Sequence, residues 1–117
     1  MMIKGIGIDI IEINRIAQAV NKNARFVRRI LTEKEHARYD ELPSEGRKLE
    51  FLAGRFAAKE AFAKAMGTGI GKLSFQHIEI LSDEHGAPNL ACATYEGNIF
   101  ISISHSKEYA VAQVVLT

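Results

Sequence analysis

Glu60 is a carboxylate that stands among apolar residues. It falls within a stripe of side chains that recur at intervals of three and four, as on one face of a helix: Leu49, Leu52, Ala53, Phe56 and Ala63. Because a buried carboxylate loses hydration worth several kcal/mol, it needs a hydrogen bond, a cation or a metal ion. The alternative is a place at the edge of the stripe, where Glu60 pairs with Lys64 or Arg55 and contributes about 0.3–0.5 kcal/mol.

Asp9 is the second exceptional carboxylate, because β-strands are depleted in aspartate. Residues 2–10 alternate, with Ile6, Ile8 and Ile10 on one side and Gly5, Gly7 and Asp9 on the other. The pattern predicts a strand with one apolar side. The two glycines leave the other side open to close approach by another chain or a ligand. Alternatively, Asp9 ends the strand and caps a helix that begins near Glu12.

Together the two carboxylates suit a hard cation. Oxygen donors on rigid elements, with no histidine or cysteine cluster nearby in the sequence, favour Mg²⁺. Mg²⁺ commonly takes one or two protein carboxylates plus substrate phosphates, so Asp9 and Glu60 are a sufficient pair. Phosphate needs positive partners, and the same helix offers Arg55, Lys59 and Lys64, although each of these could instead lie on a solvated face.

The elements that position these residues are predicted from periodicity and capping. After the strand we expect a helix from about residue 12 to 22, a second from the T-x-x-E capping box at Thr32 to about Leu42, and a third over residues 45–66. Ser44 is the expected N-cap of the longest helix, and Gly67 the residue that ends it. Four strand candidates follow, at residues 75–82, 89–96, 99–104 and 109–116. The prediction is one α+β domain over residues 1–117, with helices on one face of an antiparallel meander.

Composition narrows the class of protein. The chain has 117 residues, of which 47% are hydrophobic and 25% charged, and a net charge of +1, which is typical of a globular domain. Cys92 is the only cysteine, which excludes an intrachain disulfide and a cysteine-based metal cluster. No apolar stretch approaches the roughly 20 residues that cross a bilayer. We therefore expect a cytoplasmic protein with no membrane association.

Several short motifs do not carry the chemistry that they suggest. The segment GTGIGKL is one residue too short for a P-loop and has Leu73 in place of the serine or threonine. Its glycines, Gly67 and Gly69, are interpreted as turn residues that line a ligand cleft. His105 continues the alternation of Ile101 and Ile103, which favours a core or turn position. The serines beside it form no nucleophile elbow, which disfavours a serine hydrolase.

Three segments resemble the holo-acyl-carrier-protein synthases, the short bacterial branch of the 4′-phosphopantetheinyl transferases. They are GIGIDIIEINRI, FLAGRFAAKEAFAKAMGTGIG and SISHSKEYAVAQVV, which together extend over nearly the whole chain in the family's order. The combination of G-I-D with F-x-x-K-E-A-x-x-K is far more specific than either half. The resemblance implies Mg²⁺-dependent transfer of 4′-phosphopantetheine from coenzyme A to a serine of apo-acyl carrier protein. The product would be adenosine 3′,5′-bisphosphate, and the reaction would support fatty acid biosynthesis.

The resemblance also implies roles for individual residues. Asp9 and Glu60 would ligate Mg²⁺ against the pyrophosphate, and Lys64 would contact phosphate and steady the leaving group. Either Glu60 or a metal-bound water would take the serine proton. The 3′-phosphate and adenosine would meet Arg55 and His105, beside a turn in which Ala87 replaces a lysine common in the family. The coenzyme A site as a whole would comprise Arg55, Lys59, Lys64, Gly67, Gly69 and His105.

A basic segment without acidic residues spans residues 14–31. By resemblance, its arginines would face the acidic helix of the carrier protein and raise the association rate: Arg15, Arg25, Arg28 and Arg29. Short members of the family are homotrimers with active sites at the subunit interfaces. The alternative hypothesis is a binding module whose basic helix docks RNA or an acidic protein. Because Phe26 is the only aromatic residue within the segment, single-stranded nucleic acid is disfavoured.

Overall fold

A long helix and the sheet against which it packs organise the chain. The structure is a computed structural model that describes residues 2–117. Its elements are, in order, β1 (Gly5–Glu12), α1 (Ile13–Lys22), α2 (Arg25–Ile30), α3 (Glu33–Glu41), α4 (Glu45–Met66), a 3₁₀ turn (Phe75–His77), β2 (Glu79–Ser82), β3 (Pro88–Ala91), β4 (Ile99–His105) and β5 (Tyr109–Leu116). The predicted α+β class, with an N-terminal strand, a long helix and antiparallel strands, is confirmed.

Local capping signals predicted the ends of two helices correctly. Thr32 Oγ1 accepts a hydrogen bond from Glu35 N at 3.3 Å, and Glu35 Oε1 accepts one from Thr32 N at 2.8 Å, which completes the capping box of α3. At the start of α4, Ser44 Oγ accepts from Arg47 N at 3.2 Å. Gly67 ends α4 in the left-handed conformation, with φ of 78°. These features depend on residues close together in the sequence.

The described residues contain one α-helix more than the three predicted. The extra helix, α2, is six residues long, and its N-cap residue, Ala24, has no side chain that could cap it. A helix this short is unstable by itself, so neither capping nor periodicity indicates it. Two of the four strand candidates are also shorter than expected, whereas the last two match their predicted bounds to within one residue. Residues 75–77 form the 3₁₀ turn that precedes β2, and β3 ends at residue 91.

The strands form two antiparallel sheets instead of one meander. Within residues 2–117, three strands are ordered β1-β5-β4, and β2 and β3 form a separate pair. The first strand therefore pairs with the last, so that Asp9 lies opposite Ala112. On the other side of β5, Ile103 lies opposite the same alanine. The β1 and β4 strands are thus the two edges of the three-stranded sheet.

The α4 helix crosses this sheet from β4 to β1. A Cβ atom added to Gly54, near the middle of the helix, would lie 3.2 Å from Ile103 of β4. A Cβ atom added to Gly7 of β1 would lie only 1.9 Å from the carbonyl oxygen of Ala61. The glycine side of β1 is therefore closely approached by the chain's own helix. This corrects the expectation that another chain or a ligand would occupy that side.

The opposite side of β1 is apolar and exposed. The exposed fractions of Ile6, Ile8 and Ile10 are 57%, 59% and 63%. Phe100 of β4, which is 51% exposed, lies opposite Val115, as does Ile6 from the other edge. The outer face of the three-stranded sheet is consequently apolar along β1, whereas Gln113 of β5, opposite Ile8, and Ser102 of β4, opposite Gln113, place exposed polar side chains on the same face. Among residues 2–117, no helix is both long enough and apolar enough to cross a membrane.

Candidate functional site

Asp9 and Glu60 are brought together where β1 passes under α4. Asp9 lies within β1, which continues to Glu12, so the alternative in which Asp9 ends the strand and caps α1 is wrong. Lys64, one helical turn beyond Glu60, donates from Nζ to Asp9 Oδ1 at 2.9 Å and to the carbonyl oxygen of Ile8 at 3.0 Å. The Asp9 side chain is 16% exposed and that of Lys64 is 51% exposed. The three side chains form one group at the edge of the sheet.

The electrostatics of this group favour a bound cation. Burial raises the pKa of the Glu60 carboxyl above its ordinary value, and the charge of Asp9 raises that pKa further, whereas Lys64 lowers it. Two neighbouring carboxylates are unfavourable when both are ionised, and a cation relieves the repulsion. In the described part of the chain, no cluster has three or more His, Cys, Asp or Glu side chains placed to hold a metal. Two carboxylates still match what Mg²⁺ commonly takes from a protein when phosphates and water complete its coordination.

Lys59, the neighbour of Glu60 in the sequence, points into the interior. Its side chain has no exposed surface, and Nζ donates to Glu35 Oε1 at 2.6 Å, to the Ile30 carbonyl at 2.7 Å and to the Phe75 carbonyl at 3.1 Å. Burial lowers the pKa of Lys59, and the nearby Glu35 carboxylate opposes that shift. An ammonium has three hydrogens, so no donor remains for a phosphate. These contacts favour a structural role over the predicted contact with coenzyme A.

Glu35 is the buried partner that the sequence reasoning did not identify. Besides accepting from Lys59 and Thr32, its carboxylate accepts from Ile80 N at 2.7 Å, so that it joins α3, α4 and β2. The sequence does hold a signal for Lys59, which lies three residues from both Phe56 and Phe62 on the helix. The sequence holds no such signal for Glu35, because the capping box already explains why a glutamate stands at that position.

A cavity of about 310 Å³ lies over the other edge of the sheet, between α4 and β4. It is lined by the predicted residues Arg55 and His105 and also by Arg38 and Arg47, which the sequence reasoning did not single out. His105 is 49% exposed, and its Nδ1 lies 3.6 Å from Glu50 Oε2, so it is a cavity residue and not a core residue. A concave surface with three arginines suits an anionic ligand.

Arg55 is the most constrained of the cavity arginines. Its guanidinium carbon lies 4.1 Å from the centre of the Phe51 ring. Its Nε atom is buried without a hydrogen-bond partner within residues 2–117. Burial lowers the pKa of Arg55, although Glu35 opposes the shift. A buried donor without a partner in a cavity wall is a position at which a ligand oxygen would be stabilised.

The turn between β2 and β3 forms part of the cavity wall. Gly86 and Pro88 line the cavity. Asp83 Oδ1 accepts from His85 N at 2.8 Å and from Ala87 N at 2.9 Å, which fixes the turn. The backbone of this turn is therefore ordered although Ala87 has no polar side chain.

Gly67 and Gly69 lie in the loop after α4, with φ of 78° and 68°. A Cβ atom added to either would have nothing within 4 Å, so the space beside both glycines is open. Their contact with a ligand remains a prediction.

The four arginines of the basic segment are exposed and are carried by two short helices. Arg15 belongs to α1, whereas Arg25, Arg28 and Arg29 belong to α2. Within residues 2–117, none of them forms a salt bridge with an acidic side chain of this chain. The surface they form, here called the basic surface, therefore presents charge that is free to attract an acidic partner.

Comparisons with known proteins place the chain among phosphopantetheinyl transferases. The family model described as the 4′-phosphopantetheinyl transferase superfamily matches residues 5–114. A holo-[acyl-carrier-protein] synthase of Bacillus velezensis is 61% identical over 117 residues, which cover 98% of this chain and 96% of that protein. The synthase of Oceanobacillus iheyensis is 59% identical over 116 residues, which cover 98% of this chain and 97% of that protein.

Solved structures show the same fold. The crystal structure of a holo-(acyl-carrier-protein) synthase from Bacillus anthracis in complex with CoA (3′,5′-ADP) has a TM-score of 0.91 and 56% identity, and the match covers 99% of this chain and 97% of that one. A holo-[acyl-carrier-protein] synthase from Neisseria meningitidis has a TM-score of 0.90 and 36% identity, with 99% of both chains covered.

Proposed function

Since the chain belongs to the 4′-phosphopantetheinyl transferase superfamily, we propose that it transfers the 4′-phosphopantetheine group of coenzyme A to a serine of apo-acyl carrier protein. Adenosine 3′,5′-bisphosphate is the second product. The reaction depends on Mg²⁺, takes place in the cytoplasm and supports fatty acid biosynthesis. The observation that carries the proposal is the grouping of Asp9, Glu60 and Lys64 where β1 meets α4.

The reaction is an in-line displacement at phosphorus. The carrier's serine oxygen forms a bond to the phosphorus that bears pantetheine, and the bond from that phosphorus to the bridging oxygen of the pyrophosphate breaks. Asp9 and Glu60 are the residues that would hold Mg²⁺, which supplies charge neutralisation and a template at the pyrophosphate. Lys64 exchanges its contact with Asp9 for a phosphate oxygen and stabilises the charge of the leaving group. Glu60 is this chain's own candidate acceptor for the serine proton.

The 3′-phosphate and adenosine of coenzyme A bind in the cavity lined by Arg55 and His105. This cavity and the Asp9–Glu60 pair lie over opposite edges of the three-stranded sheet. A homotrimer in which the carboxylates of one subunit meet the cavity of the next would bring the two halves together. The exposed apolar face of Ile6, Ile8 and Ile10 supports such an assembly, because a contiguous apolar patch on a globular chain marks an interface.

The basic surface receives the acyl carrier protein. Its exposed arginines would attract an acidic partner, steer its approach and set its orientation. Phe26 in the same segment packs on Phe56, with ring centres 6.2 Å apart, and Phe56 stacks on Phe75 at 5.6 Å. The Phe26 ring is thereby held within a helical cluster, which disfavours the alternative in which it stacks on a nucleic-acid base.

Intact-mass measurement of the carrier tests the proposed function. The carrier should gain the mass of one phosphopantetheine when incubated with the protein, coenzyme A and Mg²⁺. Excess EDTA should prevent the gain, and a carrier without its acceptor serine should stay unmodified. If the carrier mass does not change with Mg²⁺ present, the transferase proposal is wrong. An increase in melting temperature with RNA that falls steeply as salt is added would favour the binding-module alternative.

A further inference from the structure

The C-terminal end of α2 is held by side chains from outside the helix. The last carbonyl groups of a helix have no partner within it and must find donors elsewhere. Gln76 Nε2 lies 2.8 Å from the carbonyl oxygen of Arg28, 3.2 Å from that of Arg29 and 2.9 Å from that of Leu31. Lys59 Nζ donates to the carbonyl oxygen of Ile30, the one that Gln76 does not contact, at 2.7 Å. The two N–H groups of the Gln76 amide are thus shared among three carbonyl oxygens, and Lys59 supplies the donor for the fourth.

The two side chains are themselves connected. Gln76 belongs to the 3₁₀ turn, and Lys59 donates to the carbonyl oxygen of Phe75 in the same turn at 3.1 Å. Lys59 is also the residue before Glu60 on α4. The end of α2 is therefore connected by hydrogen bonds to α4, the helix that carries Glu60. One connection is direct, through Lys59, and the other runs through the 3₁₀ turn.

Few other directional contacts fix α2. It has six residues, and Arg25 in its first turn places a positive charge where it opposes the helix dipole. At its N-terminus, the exposed Asn23 Oδ1 accepts one hydrogen bond, from Arg25 N at 3.0 Å. Val27 and Ile30 are buried and anchor one side of the helix. Hydrophobic contact is non-directional, so it leaves the helix free to rotate slightly about its contacts. The hydrogen bonds from Gln76 are directional and restrict that rotation.

We propose that Gln76 is a positioning residue for carrier-protein docking. Its side-chain amide holds the C-terminal end of α2 and so sets the direction in which Arg25, Arg28 and Arg29 present their charges. The inference rests on the proposed function, because it assumes that the basic surface receives the carrier. Gln76 acts through the helix backbone and needs no contact of its own with the carrier, coenzyme A or the metal.

The test is the kinetics of Gln76→Met, which removes the amide, keeps the length of the side chain and adds no charge. The KM for apo-carrier should rise about three- to tenfold, which corresponds to the loss of about one net hydrogen bond. The kcat and the KM for coenzyme A should change less than about twofold, because the carboxylate pair and the arginine-lined cavity are untouched. Amide hydrogen exchange at Leu31, whose N–H donates to Val27 at 2.9 Å, should become faster.

Asn89→Leu, which also replaces an amide by an apolar group of similar size, is the matched control. Asn89 is an exposed residue of β3, outside the basic segment, and its side chain makes no hydrogen bond within residues 2–117. Neither the kinetics nor the exchange at Leu31 should change in this variant. Gln76→Glu, which places a carboxylate against the same carbonyl groups, should raise the KM for carrier more than Gln76→Met does.

The outcomes distinguish this inference from the proposed function. If the wild type modifies the carrier but Gln76→Met keeps the wild-type KM for carrier, the positioning role is wrong and the transferase stands. If the KM for coenzyme A rises as much as that for carrier, the effect is a general structural one, and the inference is also overturned. If the wild type itself does not modify the carrier, the proposed function fails, and the inference fails with it.

Discussion

Lys59 Nζ lies 2.6 Å from Glu35 Oε1, and neither side chain has any solvent-exposed surface. The next residue along the helix, Glu60, points the other way, toward Asp9. Adjacent residues of α4 therefore have different roles. Lys59 connects the helix to α2, α3 and the 3₁₀ turn, and Glu60 presents a carboxylate at the edge of the sheet.

The buried pair predicts a large stability effect for Lys59→Met. The variant leaves the Glu35 carboxylate buried without its cation, and breaking a buried ion pair in this way costs about 3–5 kcal/mol. Chemical denaturation of the two proteins measures the difference in the free energy of unfolding. The double variant Lys59→Met with Glu35→Gln is the control, because it removes both charges and should recover part of the loss. A single variant as stable as the wild type would show that the pair is not buried as described.

Gly7→Ala should destabilise the fold because no space exists for a side chain there. The added Cβ would lie 1.9 Å from the Ala61 carbonyl oxygen, and a backbone atom cannot move aside cheaply. We expect a loss of about 3 kcal/mol or more in the free energy of unfolding. Gly71→Ala is the matched control, since a Cβ at that position meets nothing within 4 Å. Equal stability of the two variants would contradict the close packing of β1 on α4.

Features that depend on neighbouring residues could be predicted from the sequence, and features that depend on distant ones could not. The capping box at Thr32, the N-cap Ser44 and the left-handed Gly67 each follow from a few adjacent residues. The pairing of β1 with β5 joins the two ends of the chain. The α2 helix forms because donors some 30 to 50 residues further along the chain satisfy its end. No local pattern carries that information.

The same distinction holds for the site. Asp9 and Glu60 were found because each is chemically unusual in its own segment, and the fold brings them together. The position of Lys59 between Phe56 and Phe62 indicates its burial, but its partners could not be read in that way, because they are three oxygen atoms from three other segments. Arg38 and Arg47 lie on helix surfaces that look ordinary in the sequence, and only the fold turns them toward the cavity.

The raised pKa of Glu60 predicts a pH-dependent effect of Glu60→Gln on stability without metal. Folding favours the protonated form of this carboxyl, so its stabilising contribution is present below about pH 4 and is lost as the pH rises through the raised pKa. The glutamine stays neutral throughout. In EDTA, the variant should therefore melt close to the wild type at pH 4 and up to about 3 °C above it at pH 7. A variant that melts below the wild type at pH 7 would contradict the unfavourable environment of the ionised Glu60.

The proposed trimer predicts that Ile8→Lys separates the subunits. Ile8 is 59% exposed in the single chain, and a lysine there would place a charge in the apolar contact. Sedimentation equilibrium should give three times the subunit mass for the wild type and the mass of a single subunit for the variant. The rate of transfer to the carrier should also fall in the variant, since each site needs two subunits. Ala93→Lys, at an exposed residue after β3, is the control and should stay trimeric. A trimeric Ile8→Lys would show that this face is not the interface.

The central claim is that Asp9 and Glu60 jointly hold a divalent cation against coenzyme A, and the carrier's mass after incubation with Glu60→Gln tests it most directly. The matched control is Glu96→Gln, a change of the same type at an exposed residue. With saturating coenzyme A and Mg²⁺, the control should convert the carrier at the wild-type rate. Glu60→Gln should convert it at least about 100-fold more slowly, with its fold intact. Conversion by Glu60→Gln at the rate of the control would contradict the claim.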